Sequence, residues 1–342
     1  MNTVILQARQ LSIGYALPRQ SKVVIAQRLN LQLRRGELVC LLGANGVGKS
    51  TLLRTLTGIQ PPLEGHVSIG GSDVHQLSPR QIARKLSIVL TDRLNVGLLD
   101  GYALVALGRH PHTGWTGRLT RYDEAVIAWA IDAVGAGELA ARQVMELSDG
   151  QRQKLMIARA LAQETDLILL DEPTAYLDLP HRVEIMRLLR ELARETGRGI
   201  LLSTHDLDLA LRTADTVWLM DESGIHNGAP EDLMIDGAFA RAFERDGLHF
   251  DPDSGMFRMG AAHRGTIVLN GRGLAYTWTR RALEREGFDV LAAHNGRPPI
   301  AHIEIMDDTP PRWCLQVDET RHMVTSVQAV LAALQLSHRV VS

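Results

Sequence analysis

Short apolar runs alternate with helix-period segments up to about residue 235. Leu38 to Leu42, Ser87 to Leu90, Leu167 to Leu170, Ile200 to Ser203 and Val217 to Met220 read as strands, and their spacing leaves room for a helix between most of them. Such alternation predicts a mostly parallel sheet covered by helices. From Gly101 to Ala141 the pattern turns helical, broken by a Gly-, Pro- and Trp-containing stretch, Gly108 to Gly117, that cannot continue a regular element. This predicts an inserted helical subdomain. Past residue 235 a hairpin-like stretch, Leu248 to Met259, turns at Asp253, Ser254 and Gly255. A second series follows: a strand (Thr266 to Asn270), a helix (Ala275 to Glu286), strands at Asp289 to Ala292, Ile300 to Ile305 and Trp313 to Val317, and a last helix from Thr325 to Leu336. The expected division is therefore 1–235 and 236–342, an α/β domain followed by a small α+β domain.

Composition narrows the class. With 342 residues, 45% apolar and 22% charged, the chain is a folded globular protein of about two domains. The 37 basic and 39 acidic side chains give a net charge of -2, which offers no global attraction to nucleic acid. Cys40 and Cys314 lack metal-ligand spacing and read as buried thiols. Val4, Ile5 and Leu6 are too short a run for a signal peptide, and no window is long and apolar enough to span a bilayer. A cytosolic chain is expected, reaching a membrane only through a partner.

Gly43-Ala44-Asn45-Gly46-Val47-Gly48-Lys49-Ser50 fits G-x-x-x-x-G-K-[ST] between an apolar strand and an amphipathic helix. Gly43, Gly46 and Gly48 allow the tight turn that converges backbone N–H groups on phosphates, and the helix adds its positive end. Lys49 is expected on the β and γ phosphates, Ser50 on Mg²⁺ and Thr51 at the α-phosphate, with Leu52, Leu53 and Leu56 burying the helix before Gly58 ends it. The strand Leu167 to Leu170 delivers Asp171 and Glu172 at its C-terminal end, where ligands bind in such sheets. Asp171 suits the Mg²⁺ shell and Glu172 the polarisation of an attacking water. Ser148 and Gln151 form an S-x-x-Q capping box ahead of a helix from Arg152 to Leu161.

Together with the phosphate loop and Asp171-Glu172, Leu147-Ser148-Asp149-Gly150-Gln151 resembles the LSGGQ signature of ATP-binding cassette (ABC) ATPases, with Asp149 in place of a glycine. The resemblance covers about residues 1 to 235. It implies that Ser148, Gly150 and Gln151 contact the ATP of a second, head-to-tail copy, that Asp178 in Ala175-Tyr176-Leu177-Asp178 lies at the dimer interface, that His205 contacts the γ-phosphate, and that Tyr15 stacks on adenine. ATP binding would close the dimer and hydrolysis release it. One departure stands out: Thr91-Asp92 occupies the place of the family's glutamine, so the Thr91 hydroxyl, or else the Asp92 carboxylate, is the expected substitute near Mg²⁺, with slow or differently coupled hydrolysis. Ala103 to Pro111 resembles the importer branch serving iron-siderophores, haem and cobalamin. That likeness implies integral-membrane permease subunits docking at Leu94 to His112, a substrate-binding protein acting through them, and a place at the cytoplasmic face of the membrane. The alternative is a soluble ABC ATPase such as an iron-sulfur assembly factor. His110 and His112 are expected to be loop residues without metal, and Asn270-Gly271-Arg272-Gly273 a plain turn; the C-terminal domain is expected to be regulatory or to add dimer contacts.

Overall fold

A computed structural model describes residues 3–16, 22–90, 98–114, 117–243, 248–251, 256–259, 264–291, 299–306, 309–317 and 320–338. The chain divides into two compact units, one built on residues 1–243 and the other on 244–251 and 257–342, with the division falling near two paired strands; the expected turn at Asp253, Ser254 and Gly255 lies outside the described residues.

The first unit opens with β1 (Val4–Tyr15), β2 (Val23–Arg34) and β3 (Leu38–Gly43), then α1 (Lys49–Leu56), β4 (Glu64–Ile69), β5 (Ser72–Asp73), α2 (Pro79–Ala83) and β6 (Leu86–Val89). The helical insertion holds α3 (Gly101–Ala106) and α4 (Arg121–Ala133) and leads to α5 (Asp149–Ala162). The alternation then resumes with β7 (Leu167–Asp171), α6 (Leu179–Thr196), β8 (Gly199–Ser203), α7 (Leu207–Thr213), β9 (Thr216–Asp221), β10 (Gly224–Gly228), α8 (Pro230–Ile235) and α9 (Ala238–Phe243). Six strands form one sheet in the order β10-β9-β3-β8-β7-β6, parallel throughout except for β10. All six residues of β3 are buried, which is why it reads as a continuous apolar run rather than an alternation. A separate antiparallel sheet, β2-β1-β4-β5, was absent from the sequence reading. Its strands hide their period: Gln10 (φ 45°) and Arg28 (φ 56°) sit in left-handed conformations beside shifts in register, so the inward set changes phase along each strand.

Arg109, expected on a loop, is 2% exposed. Its Nε donates to Asp123 Oδ1 on α4 at 2.8 Å, and one terminal nitrogen donates to Ala162 O (2.7 Å) and Glu164 Oε2 (2.6 Å) after α5. Asp123 also completes a capping box with Thr120 at the start of α4. The hydroxyl of Thr120 and the Arg109 guanidinium hold the Asp123 carboxyl down at about 2. His112 contacts Gln163 O at 2.8 Å, so this histidine ties the loop to α5.

The second unit takes in β11 (Leu248–Asp251) and all but the first residue of β12 (Met256–Met259), the paired strands at the division. It contains β13 (Gly265–Asn270), α10 (Gly273–Arg285), β14 (Phe288–Leu291), β15 (Ala301–Met306), β16 (Arg312–Val317), β17 (Thr320–Val324) and α11 (Val327–His338). The sheet order is β14-β13-β15-β16-β17, parallel on the β14 side and antiparallel beyond β15. Ile267, Leu269, Ile303, Ile305, Trp313 and Leu315 face Leu283, Val330 and Leu334 of the helices, giving this unit its own core. Asn270-Gly271-Arg272 connects β13 to α10. Cys40 and Cys314 are free and buried, and burial pushes the Cys40 thiol up.

Arg109→Ala strands two carboxylates against the subdomain core and is expected to cost about 3–5 kcal/mol, read by chemical denaturation at pH 7. Because folding depresses the Asp123 carboxyl, its contribution is complete above an unfolded value of about 4 and disappears as pH falls toward about 2. The stability gap between the parent and Asp123→Asn therefore narrows across that window.

Candidate functional site

The site lies at the C-terminal ends of β3, β7 and β8. Gly43 (φ 150°) turns the chain out of β3, and a Cβ there would lie 2.4 Å from Met220 O of β9. Gly48 (φ 115°) caps α1, and a Cβ there would lie 2.3 Å from Ile25 Cγ2. These two glycines are required by space as well as by φ, whereas Gly46 (φ 80°) faces open space and is required by φ alone. No side chain caps α1, so its first N–H groups remain available to an anion. Asn45 and Ser50 are exposed around the loop.

Lys49 is 7% exposed and turns back on the loop, donating to Gly43 O (2.7 Å) and Ala44 O (3.0 Å). Burial lowers its pKa, and the nearby carboxylates of Glu172 and Asp171 oppose that shift. Asp171 and Glu172 are fixed by a residue that the sequence reading missed. Ser203 Oγ donates to Asp171 Oδ1 at 2.6 Å and accepts the Glu172 N–H at 2.9 Å. Its only sequence signal is register, since Ser203 lies opposite Asp171 in the parallel pair of β7 and β8. Glu172 itself has φ 47°, a left-handed conformation uncommon outside glycine and frequent at functional sites. His205, just past β8, pairs through Nε2 with the Glu172 carboxylate. The structure thus gathers Lys49, Asp171, Glu172 and His205 around the loop. An exposed hydroxyl at Ser50 and an anchored carboxylate at Asp171 are the hard oxygen donors that Mg²⁺ takes alongside phosphate and water.

Tyr15 is 41% exposed, and its hydroxyl shares a 2.8 Å hydrogen bond with Thr51 Oγ1. Thr51 can keep that bond as an acceptor and still donate its own hydrogen to a phosphate. A second group forms apart from the loop. Ser148 accepts from Gln151 N–H while Gln151 Oε1 accepts from Ser148 N–H, so α5 begins with the expected capping box, three residues earlier than predicted. Asp149, the departure from the signature, pairs with Arg152 at 3.2 Å. A Cβ on Gly150 would lie 2.9 Å from His181 Cδ2, and His181 pairs with Asp178, which caps α6. The signature and the Asp178 turn are thereby adjacent. His181 holds the Asp178 carboxyl below its usual range. Thr91 and Asp92 lie outside the described residues.

A phosphate loop, an Asp-Glu pair at a strand end and a histidine just past the neighbouring strand define a P-loop nucleotide hydrolase. Residues 26–175 match the family described as ABC transporter, and residues 264–335 match the iron ABC transporter C-terminal domain. An ABC transporter ATP-binding protein of Methanocaldococcus jannaschii is 38% identical over 293 residues, 84% of this chain and 99% of that one. The iron(3+)-hydroxamate import ATP-binding protein FhuC of Bacillus subtilis is 39% identical over 242 residues, 70% of this chain and 88% of that one. The structure of cbiO1 from Clostridium perfringens, part of the ABC transporter complex cbiONQ, superposes with a TM-score of 0.60 at 28% identity, covering 70% of this chain and 94% of that one. The chain belongs to the ABC transporter ATP-binding family and is an ATPase.

Ser203→Ala removes the support of both Asp171 and the Glu172 N–H. Turnover is expected to fall about tenfold to a hundredfold. Steady-state ATPase assays over a Mg²⁺ titration would also show a raised half-saturation for the metal.

Proposed function

We propose that this ATPase drives an ABC importer for a ferric chelate, haem or cobalamin. The observation that carries the reading is the pairing on one chain of a hydrolytic cassette with a unit of the iron ABC transporter C-terminal class. A relative named for iron(3+)-hydroxamate import supports the substrate class.

In this reading ATP lies along the loop with Tyr15 against adenine and the phosphates on the N–H groups of residues 43–51. Lys49 exchanges Gly43 O and Ala44 O for β and γ oxygens, so charge already present in the site is redirected rather than created. Ser50 and Asp171, with Thr91 as the expected further donor, would hold Mg²⁺, which supplies charge neutralisation on the phosphates. Glu172 polarises the attacking water, and His205 orients that carboxylate while meeting the γ-phosphate. Its left-handed backbone, pinned to Ser203, sets where the carboxylate points.

Ser148, Gly150 and Gln151 present the start of α5 to the ATP of a second copy, and Asp178 lies beside them at the same surface. Two copies closing head to tail on ATP and parting after hydrolysis amount to a population shift driven by differential affinity. Permease subunits receive that motion near residues 94–112, where Leu98 (83%), Tyr102 (37%) and Leu107 (50%) are exposed apolar side chains beside the anchored Arg109. Such docking places the chain at the cytoplasmic face of the membrane, with a substrate-binding protein acting through the permease.

Glu172→Gln is expected to lower kcat by at least about a hundredfold while ATP binding persists, and Lys49→Ala to abolish binding, both checked by ATPase assay and nucleotide-binding titration. Affinity capture from detergent-solubilised native membranes tests the transport role. A polytopic membrane protein in stoichiometric amount is expected; soluble partners alone would favour an iron-sulfur assembly role instead.

A further inference from the structure

Asp149 stands where the chain departs from the LSGGQ signature, and nothing in the proposed cycle uses its carboxylate. It is the first residue of α5, directly after the Ser148 cap, and the acid of the first turn. A helix start carries the positive end of the backbone dipole, and an acid placed there complements it. The Ser148 hydroxyl already accepts the Gln151 N–H. The opening turn of α5 is therefore supplied from within the chain with both an acceptor and a negative charge.

The surroundings do not cancel that charge. One terminal nitrogen of Arg152 lies 3.2 Å from Asp149 Oδ1, while the other donates to Leu147 O at 3.2 Å. The Asp149 and Arg152 side chains are 37% and 25% exposed, so water weakens their pair. On the other side of Gly150 lies a second acid. The His181 ring packs against Gly150 and pairs with Asp178, which it holds in the ionised form. Gly150 thus sits between two carboxylates, on the surface that would meet a triphosphate.

We infer that Asp149 is a brake on ATP-driven closure: its carboxylate offsets the positive end of α5 and repels the γ-phosphate brought by a second copy. The inference rests on the head-to-tail reading above. Like charges about one helical turn apart at a partly wet surface change an equilibrium constant by about tenfold. A symmetric dimer brings two phosphates against two Asp149 side chains, so its dissociation constant carries that factor twice, about a hundredfold. Closure then depends on the permease subunits that hold two copies together, which limits ATP consumption by copies outside an assembled importer.

The test is sedimentation velocity of the full-length chain carrying Glu172→Gln, the variant expected to hold ATP unhydrolysed, with Mg²⁺ and ATP over a range of protein concentrations. Adding Asp149→Asn, which keeps the side chain's size and removes its charge, is expected to tighten the dimer about a hundredfold at low salt. Asp149→Gly is expected to do the same; should it loosen the start of α5, the asparagine variant still decides. The gain shrinks to a few fold at about 1 M salt, where the screening length falls to about 3 Å. Glu191→Gln removes an equal charge from α6, roughly 20 Å along the helix from Asp178, and is expected to leave the dimer unchanged. Equal dimer constants with and without Asp149→Asn, an equal gain from Glu191→Gln, or a gain indifferent to salt would overturn the inference and leave the head-to-tail reading standing. Absence of an ATP-dependent dimer in all of these chains would remove that reading and the inference with it.

Discussion

Everything in the catalytic half depends on how closely the phosphate loop lies against its neighbours. The loop is not held by its own hydrogen bonds alone. Met220 O stands where a side chain at residue 43 would begin, and Ile25 where one at residue 48 would begin. Packing from β9 and β2 therefore selects glycine at those positions and presses the backbone into the curve that gathers N–H groups. The central sheet supplies the rigidity this needs, since β3 is buried along its whole length between β8 and β9. A loop of this kind on an exposed edge strand would lose the same shape at little cost.

A second layer of control comes from side chains that touch no substrate position. Ser203 fixes Asp171 and the backbone of Glu172 at once, so the two neighbouring acids share one positional reference. Arg109 does comparable work farther out, joining the helical insertion to the end of α5 through Asp123, Ala162 O and Glu164. This guanidinium, with His112 on Gln163 O and Tyr122 on Glu164, ties the insertion to the end of the helix that carries the signature.

Much of this could be read from sequence because the signals were local. The loop motif, the Ser148-Gln151 box and the apolar runs each span a few residues, and their order along the chain was enough to identify the family. What escaped depended on long-range register. Ser203 acquires its role only when β8 lies beside β7, and Arg109 looks like an ordinary loop cation until Asp123 and Glu164 surround it. The antiparallel sheet was missed because left-handed residues at 10 and 28 break the alternation that announces a strand. Strand β17 escaped for a different reason: four of its five residues are exposed and none is buried, so it carries no apolar period to detect.

The placement of the thiols has a practical consequence. Cys40 lies at the centre of the six-stranded sheet with its thiol pushed toward the unreactive protonated form, and Cys314 is buried in the second unit, shielded from reagents. The native chain is thus nearly silent to thiol reagents while folded. A single cysteine introduced on the surface could carry a fluorophore or spin label without first stripping the natural ones, so conformational cycling can be watched in an otherwise unaltered protein.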